Sequence, residues 1–238
     1  MPTIVRHASD VNAQSLTFTS PTAGNVILAV CFPGEGTNGT LPSGYTQIYI
    51  RSITDAWRAT SMNIAYKISD GTETTFEFTG NSDRPVVMFL ELAGADMSAI
   101  VGGNTSWLDG RQPIITNTQT SPADDTLALA FLATGGPDIT IADLTIRNSF
   151  TPVMQRQATN SPIRWPIGII ATGPSLFADG VSVTAGWDDA VSDRKDMYLL
   201  LIPPAGAAGG GDFIQSIAGP GGIAGPGGTA GRSGGIAG

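Results

Sequence analysis

The sequence predicts an all-β protein: a jelly-roll-like β-sandwich with an internal duplication, followed by an extended Gly-rich tail. Three observations support this prediction. Apolar residues make up 41% of the chain and charged residues only 13%, a composition typical of short strands joined by many turns. Segments with a two-residue period recur, and no window carries the apolar stripe of a three-turn helix. Finally, short sequence motifs of the first half, called landmarks below, recur in the same order in the second half.

Strands are predicted wherever apolar and polar residues alternate, as they do over residues 15–19, 45–50 and 62–67. Continuous apolar runs predict strands that are buried on both faces. These runs occupy residues 26–32, 86–92, 127–133 and 198–202. Turn signals such as Pro33-Gly34, Asp70-Gly71 and Asp179-Gly180 separate the strands.

The duplication rests on three pairs of landmarks, offset by roughly a hundred residues. They are Thr19-Ser20-Pro21 and Thr120-Ser121-Pro122, Asp70-Gly71 and Asp179-Gly180, and Asp83-Arg84 and Asp193-Arg194. We therefore predict an N-terminal arm (1–13), a sandwich (14–204) and a Gly-rich, collagen-like tail (205–238). The sandwich would consist of two similar halves, 14–95 and 114–204. Two small sandwiches in tandem, divided near 102–113, are the alternative.

Glycine occupies every third position near the C-terminus. The positions are Gly219, Gly222, Gly225, Gly228, Gly231 and Gly234. Close-packed extended helices need this spacing, because only a hydrogen atom fits at their crowded axis. The tail is therefore predicted to act in assembly as a collagen-like element, with a Gly-rich linker as the alternative.

Charge and cysteine content exclude several classes of protein. The net charge of −8 and the lack of a basic patch argue against a nucleic-acid surface. Cys31 is the only cysteine, and it lies inside an apolar run, so we expect a buried thiol and no disulfide framework. The first residues lack the apolar run of a secretory signal, and no stretch reaches the length of a membrane span. We therefore expect neither secretion by a signal peptide nor membrane insertion.

Catalytic residues are not predicted. His7 is the only histidine and lies in the predicted arm, which disfavours triads and a zinc site, so we expect no metal and no cofactor. Paired carboxylates remain the one catalytic alternative, with Glu77, Glu91 and Asp188 as candidates. Otherwise we expect Glu91 to be paired with a basic group or placed at a sheet edge. Asp188, Asp189, Asp193 and Asp196 are then expected in a solvated acidic loop.

Binding by loops is the more favoured prediction. Four tryptophans occur near turns, at positions 57, 107, 165 and 187. A tryptophan beside an acidic residue can stack on a sugar ring and bond its hydroxyls. Trp107 with Asp109 is the first candidate contact and Trp187 with Asp188 the second, although burial in the core is the alternative for each tryptophan.

Residues 24–95 resemble β-sandwich domains of tailed-bacteriophage structural proteins. The resemblance rests on Gly24-Asn25 before an apolar strand, on Leu41-Pro42-Ser43-Gly44-Tyr45-Thr46, on Ile64-Ala65-Tyr66-Lys67-Ile68-Ser69-Asp70-Gly71, and on a last strand ending in Ala93-Gly94. The C-terminus is similar to the tips and linkers of phage fibres and adhesins.

The resemblance implies a non-enzymatic virion protein, either a short tail fibre or a host-receptor-binding component. Its expected partners are other virion proteins and host-surface glycan, and its expected state is a homotrimer in the virion. A capsid decoration or cement protein is the alternative. A carbohydrate-binding or carbohydrate-active β-sandwich is a further one.

Overall fold

The computed structural model describes nine stretches of the chain. They are residues 1–33, 39–51, 61–80, 85–107, 114–135, 140–158, 166–174, 177–189 and 195–206. Within them the regular structure is β-strand, apart from one 3-10 turn at Ile141–Asp143. The predicted all-β class is confirmed.

Each half of the chain supplies its own set of strands. The first half contains β1 (Thr3–Val11), β2 (Ser15–Thr17), β3 (Val26–Phe32), β4 (Thr46–Arg51), β5 (Met62–Ile68), β6 (Thr75–Glu77) and β7 (Val86–Ala93). The second half contains β8 (Val101–Trp107), β9 (Ile114–Ile115), β10 (Gln119–Thr120), β11 (Leu127–Gly135), β12 (Leu144–Arg147), β13 (Thr151–Gln157), β14 (Pro166–Thr172), β15 (Ser182–Val183), β16 (Gly186–Asp189) and β17 (Lys195–Ile202).

Each half builds its own five-stranded antiparallel sheet, and the two sheets have the same strand order. Sheet 1 has the order β1-β7-β3-β5-β4, and sheet 2 has the matching order β8-β17-β11-β14-β13. The registers also correspond, since Val26 pairs with Leu92 in sheet 1 and Leu127 with Ile202 in sheet 2. The last strand in each order carries a bulge at the same point, between residues 47 and 49 of β4 and between 152 and 154 of β13. These registers give each residue of one sheet an equivalent in the other.

The two sheets pack face to face around one core. Alternate residues of the central strands point inward, among them Leu28, Leu90, Leu129 and Leu200, and all belong to a single buried cluster. Because both halves contribute to this cluster, they do not form separate sandwiches. On one side of the sandwich the edge strand β1 of sheet 1 contacts β13 of sheet 2. On the other side β4 of sheet 1 meets β8 of sheet 2. Each edge strand of sheet 1 therefore faces the edge strand of sheet 2 that is not its equivalent.

Short strands cover the outer faces of both sheets. The pair β2-β6 lies over sheet 1 and buries residues such as Phe18 and Phe76 against Phe89. Sheet 2 is covered by the three-stranded sheet β12-β16-β9 and the pair β10-β15. Burial on both faces explains why β3, β7, β11 and β17 read as continuous apolar runs and not as alternating ones.

The N-terminal segment differs from its predicted role as an arm. Thr3–Val11 forms the edge strand of sheet 1 and pairs with β7 along its whole length. Ile4 packs on the inner core, whereas Arg6 reaches the outer face and forms an ion pair with Glu91 of β7. One apolar and one polar anchor therefore hold this segment in the sheet.

Candidate binding end and an interior carboxylate cluster

The sandwich has two unlike ends. At the end called here the turn end, β3 begins and β5 and β7 finish, and tight turns there use Gly24, Gly71 and Gly94 with φ of 86°, 86° and 66°. Such positive φ angles are readily adopted only by glycine. The last described residues, through Gly206, lie at this end too, because Ala205 N donates to Gly94 O over 2.8 Å.

The opposite end, called here the loop end, gathers the other strand termini. The registers place Phe32 beside Val86, Gly135 beside Pro166 and Trp107 beside Lys195. These termini flank the segments 34–38, 52–60, 81–84, 108–113, 136–139, 159–165 and 190–194, all outside the described residues.

The first candidate contact belongs to the loop end. Trp107 is the last residue of β8 and its backbone pairs with Lys195. Asp109 lies outside the described residues, as do Trp57 and Trp165, but each falls in a segment whose flanking strands end or begin at the loop end. The glycines of the predicted assembly tail, from Gly219 to Gly234, are likewise outside the described residues.

The second candidate contact is corrected. Trp187 lies in β16 with 1% of its surface exposed, packed into the core between sheet 2 and its outer layer. Strand alternation turns its neighbour Asp188 outward, where the carboxylate forms an ion pair with Nε of Arg147. Trp187 is therefore a core residue, and it offers no ring face to a sugar.

The candidate carboxylates are kept apart by the layers of the fold. Glu77 is exposed on β6, outside sheet 1, whereas Asp188 lies on β16, outside sheet 2. Both main sheets lie between these two side chains, and neighbouring sheets that pack face to face are about 10 Å apart. Paired glycosidase carboxylates lie within about 10 Å of each other, so these two residues cannot form such a pair.

Glu91 is fully buried and forms an ion pair with Arg6, which confirms its predicted pairing with a basic group. Its Oε2 lies 2.5 Å from Nε of Arg6, and its Oε1 accepts hydrogen bonds from Thr22 N at 2.8 Å and Asn25 Nδ2 at 2.6 Å. Burial alone would raise the pKa of Glu91, but these hydrogen bonds and the Arg6 charge outweigh it and lower the pKa. The group is a charged structural contact between β1, the turn before β3 and β7.

A second buried carboxylate lies between the two sheets near the loop end. Asp196, at the start of β17, has no exposed surface, and Tyr49 Oη of β4 donates to its two oxygens at 3.0 and 3.1 Å. The Tyr49 ring stacks on Tyr198 with centroids 4.4 Å apart, and Asn104 Nδ2 donates to Tyr49 Oη at 3.3 Å. These four residues, the interior cluster, join β4 of sheet 1 to β8 and β17 of sheet 2.

The environment of the interior cluster favours a protonated carboxyl. Burial raises the pKa of Asp196 to about 7, although the nearby Arg51 charge and the Tyr49 hydroxyl act in the opposite direction. The prediction that Asp196 lies in a solvated acidic loop is therefore wrong. The available signal was its position directly before the apolar run of β17, on the same face as Tyr198 and Leu200.

Within the described residues, no three His, Cys, Asp or Glu side chains converge where they could hold a metal ion. No helix in this part of the chain is long and apolar enough to cross a membrane. Comparison with protein-family models, with curated protein sequences and with solved structures finds no match to the chain.

Proposed function

We propose that this protein is a non-enzymatic virion component, a short tail fibre or host-receptor-binding part of a tailed bacteriophage. In this proposal the loop end contacts the host surface, and the turn end leads into a collagen-like tail that attaches or assembles the protein. The jelly-roll-like character of the sandwich belongs to the same proposal. The observation that carries it is the separation of the two ends.

The loop end supports a role in contact. Binding residues commonly lie on connections held by a rigid scaffold, and here the scaffold is a sandwich with a continuous core. The segments flanked by loop-end strand termini contain Trp57, Asp109 and Trp165, and Trp107 lies at the terminus itself. Tryptophan beside acidic and amide side chains suits host-surface glycan.

The turn end supports a role in attachment. Gly206, the last described residue, lies at the end opposite the loop end, and the glycine-repeat segment follows it in the sequence. Tails with glycine at every third position associate in threes, so we propose a homotrimer. Light scattering should then give a trimer mass for the intact chain and a smaller mass for a chain truncated after Pro204.

A capsid decoration protein is the second candidate, and the edge strand β1, which pairs only with β7 in the described part of the chain, favours it. Sheet edges of this kind bind extended segments of a neighbour by strand addition. Copy number distinguishes the two roles, because decoration proteins follow capsid stoichiometry and fibres are far fewer. Quantitative mass spectrometry of purified particles measures it, and absence of the protein from particles would refute both roles.

A further inference from the structure

The sandwich closes along two seams, one on each side. The first seam lies between β1 and β13, and the second lies between β4 and β8. The matching strand orders make the two seams equivalent, because β1 corresponds to β8 and β13 corresponds to β4. Residues of one seam can therefore be compared, position by position, with residues of the other.

The first seam is closed by apolar side chains where the second carries the interior cluster. The registers assign an apolar equivalent to three members of that cluster, namely Val86 for Asp196, Met88 for Tyr198 and Met154 for Tyr49. All three apolar residues are buried in the inner core. Apolar packing is thus sufficient to close a seam of this fold, and it does not require a buried carboxyl.

The charged and titratable side chains that face Asp196 in the described part of the chain come from β4 and from its own strand. Tyr49 and Arg51 act on it from β4, and Tyr198 lies on the same face of β17. Lys195 points to the opposite face of sheet 2, while β8 contributes a neutral amide and β11 a methyl group. Burial raises the pKa of Tyr49 beyond its usual range and that of Tyr198 to about 12, so both hydroxyls stay neutral near pH 7.

We propose that Asp196 is a pH switch of the second seam: its protonated carboxyl holds β4 against β8 and β17, and its ionisation opens this seam at the loop end. A neutral carboxyl can stay buried beside the Tyr49 hydroxyl, whereas an ionised one is strongly favoured by contact with water. Water reaches it when β4 moves away from sheet 2. That movement is open to β4 because, within the described residues, it is an edge strand paired only with β5.

The direction of the pH effect follows from proton binding. The closed seam keeps the Asp196 proton up to a pKa of about 7, whereas a solvated aspartate loses its proton near pH 4. Opening of the seam therefore becomes easier as pH rises through this window and gains nothing further above it. The first seam has Val86 in place of the carboxyl, so its opening should not depend on pH in this way.

Hydrogen exchange of the full chain at pH 5 and pH 8, corrected for the intrinsic exchange rate, tests the switch. In the parent, protection of the β4 amides should fall at least about tenfold from pH 5 to pH 8. Protection of the β1 amides, at the edge of the first seam, should change less than about twofold. An equal fall in β4 and β1 would mean that only global unfolding responds to pH, and it would overturn the proposal, as would unchanged protection of β4.

Two variants show whether Asp196 is the group responsible. Asp196→Asn keeps the shape of the side chain without its titration, and Asp196→Val copies Val86 of the first seam. Protection of β4 in each variant should be the same at both pH values, and a fall as large as in the parent would overturn the proposal. These measurements involve no glycan, so they test the switch independently of the proposed function.

Discussion

The ion pair between Arg6 and Glu91 can be compared with an apolar pair in the same protein, because sheet 2 has apolar residues at the equivalent positions. The equivalent positions in sheet 2 are Val101 and Leu201, which pair with each other in the same register. Both pack in the outer core of sheet 2. An ion pair and an apolar pair thus occupy the same place in two copies of one sheet, as expected if a buried ion pair adds little over apolar packing.

This comparison predicts the behaviour of substitutions. Arg6→Val alone leaves a buried carboxylate without its cation, and we expect it to lower the free energy of unfolding by about 3 kcal/mol. The double variant Arg6→Val, Glu91→Leu should lose less than Arg6→Val does, because no charge is left buried. Urea unfolding of the single and double variants measures this, and a double variant less stable than Arg6→Val would contradict it.

Asn63 offers a simpler case of the same kind. It is fully buried on the outer face of β5, and neither atom of its amide has a hydrogen-bond partner in the described part of the chain. Its equivalent in sheet 2 is Ile169, also fully buried.

Removing the unsatisfied amide should stabilise the protein. Asn63→Val is expected to raise the free energy of unfolding by about 1 kcal/mol, because the cost of burying an unpaired amide disappears. The matched control Ile169→Asn introduces that cost in sheet 2 and should be destabilising. Thermal unfolding of both variants checks the prediction, and a lower melting temperature for Asn63→Val would refute it.

At the scale of elements, a large residue of one sheet fits a glycine of the other. Gly168 of β14 faces the inner core, and a Cβ added there would lie 2.2 Å from the Phe32 ring. The equivalent positions are reversed in size, with Ala133 in place of Phe32 and Met62 in place of Gly168. The Phe32 ring therefore occupies the space that the missing side chain of Gly168 leaves.

Gly168→Ala should consequently be costly for a change of one methyl group. The Phe32 ring must move within a filled core, and we expect a loss of about 2 kcal/mol in the free energy of unfolding. The double variant Gly168→Ala, Phe32→Leu should recover part of that loss. Chemical denaturation checks both, and a neutral Gly168→Ala would contradict the packing described here.

The elements also show how far the sequence alone could lead. The four apolar runs predicted as central strands became β3, β7, β11 and β17, since burial on both faces leaves a plain signal. The short strands β9, β12 and β16 were not predicted, because two to four residues carry too little pattern. β1 was predicted as an arm, since its pairing with β7 is a long-range contact that the local sequence does not reveal. Trp187 was a candidate surface contact, with core burial as the alternative, because its polar neighbours obscure the strand alternation.

At the scale of the whole molecule, the interior cluster makes stability depend on pH. Folding raises the pKa of Asp196 to about 7, whereas an unfolded aspartate titrates near 4. Between these values the folded state keeps a proton that the unfolded state loses, so stability should fall as pH rises from about 4 to about 7. The change is at most about 4 kcal/mol.

Asp196→Asn isolates this effect, because it keeps an acceptor for Tyr49 and removes the titration. The difference in unfolding free energy between the parent and Asp196→Asn should change across that pH window and be constant above it. Urea unfolding at pH 5 and pH 8 measures the difference. An equal difference at both values would show that Asp196 does not titrate as described.

The account as a whole depends on the loop end being the contact surface. A glycan array probed with the intact protein tests this most directly, together with Trp107→Ala at the loop end and Ile68→Ala at the turn end as a matched control. Ile68 is 50% exposed, so its substitution should not disturb the core. We predict that the parent and Ile68→Ala bind the same glycans and that Trp107→Ala loses at least about tenfold in affinity. Binding that is lost in Ile68→Ala and retained in Trp107→Ala would place the contact at the wrong end and contradict the account.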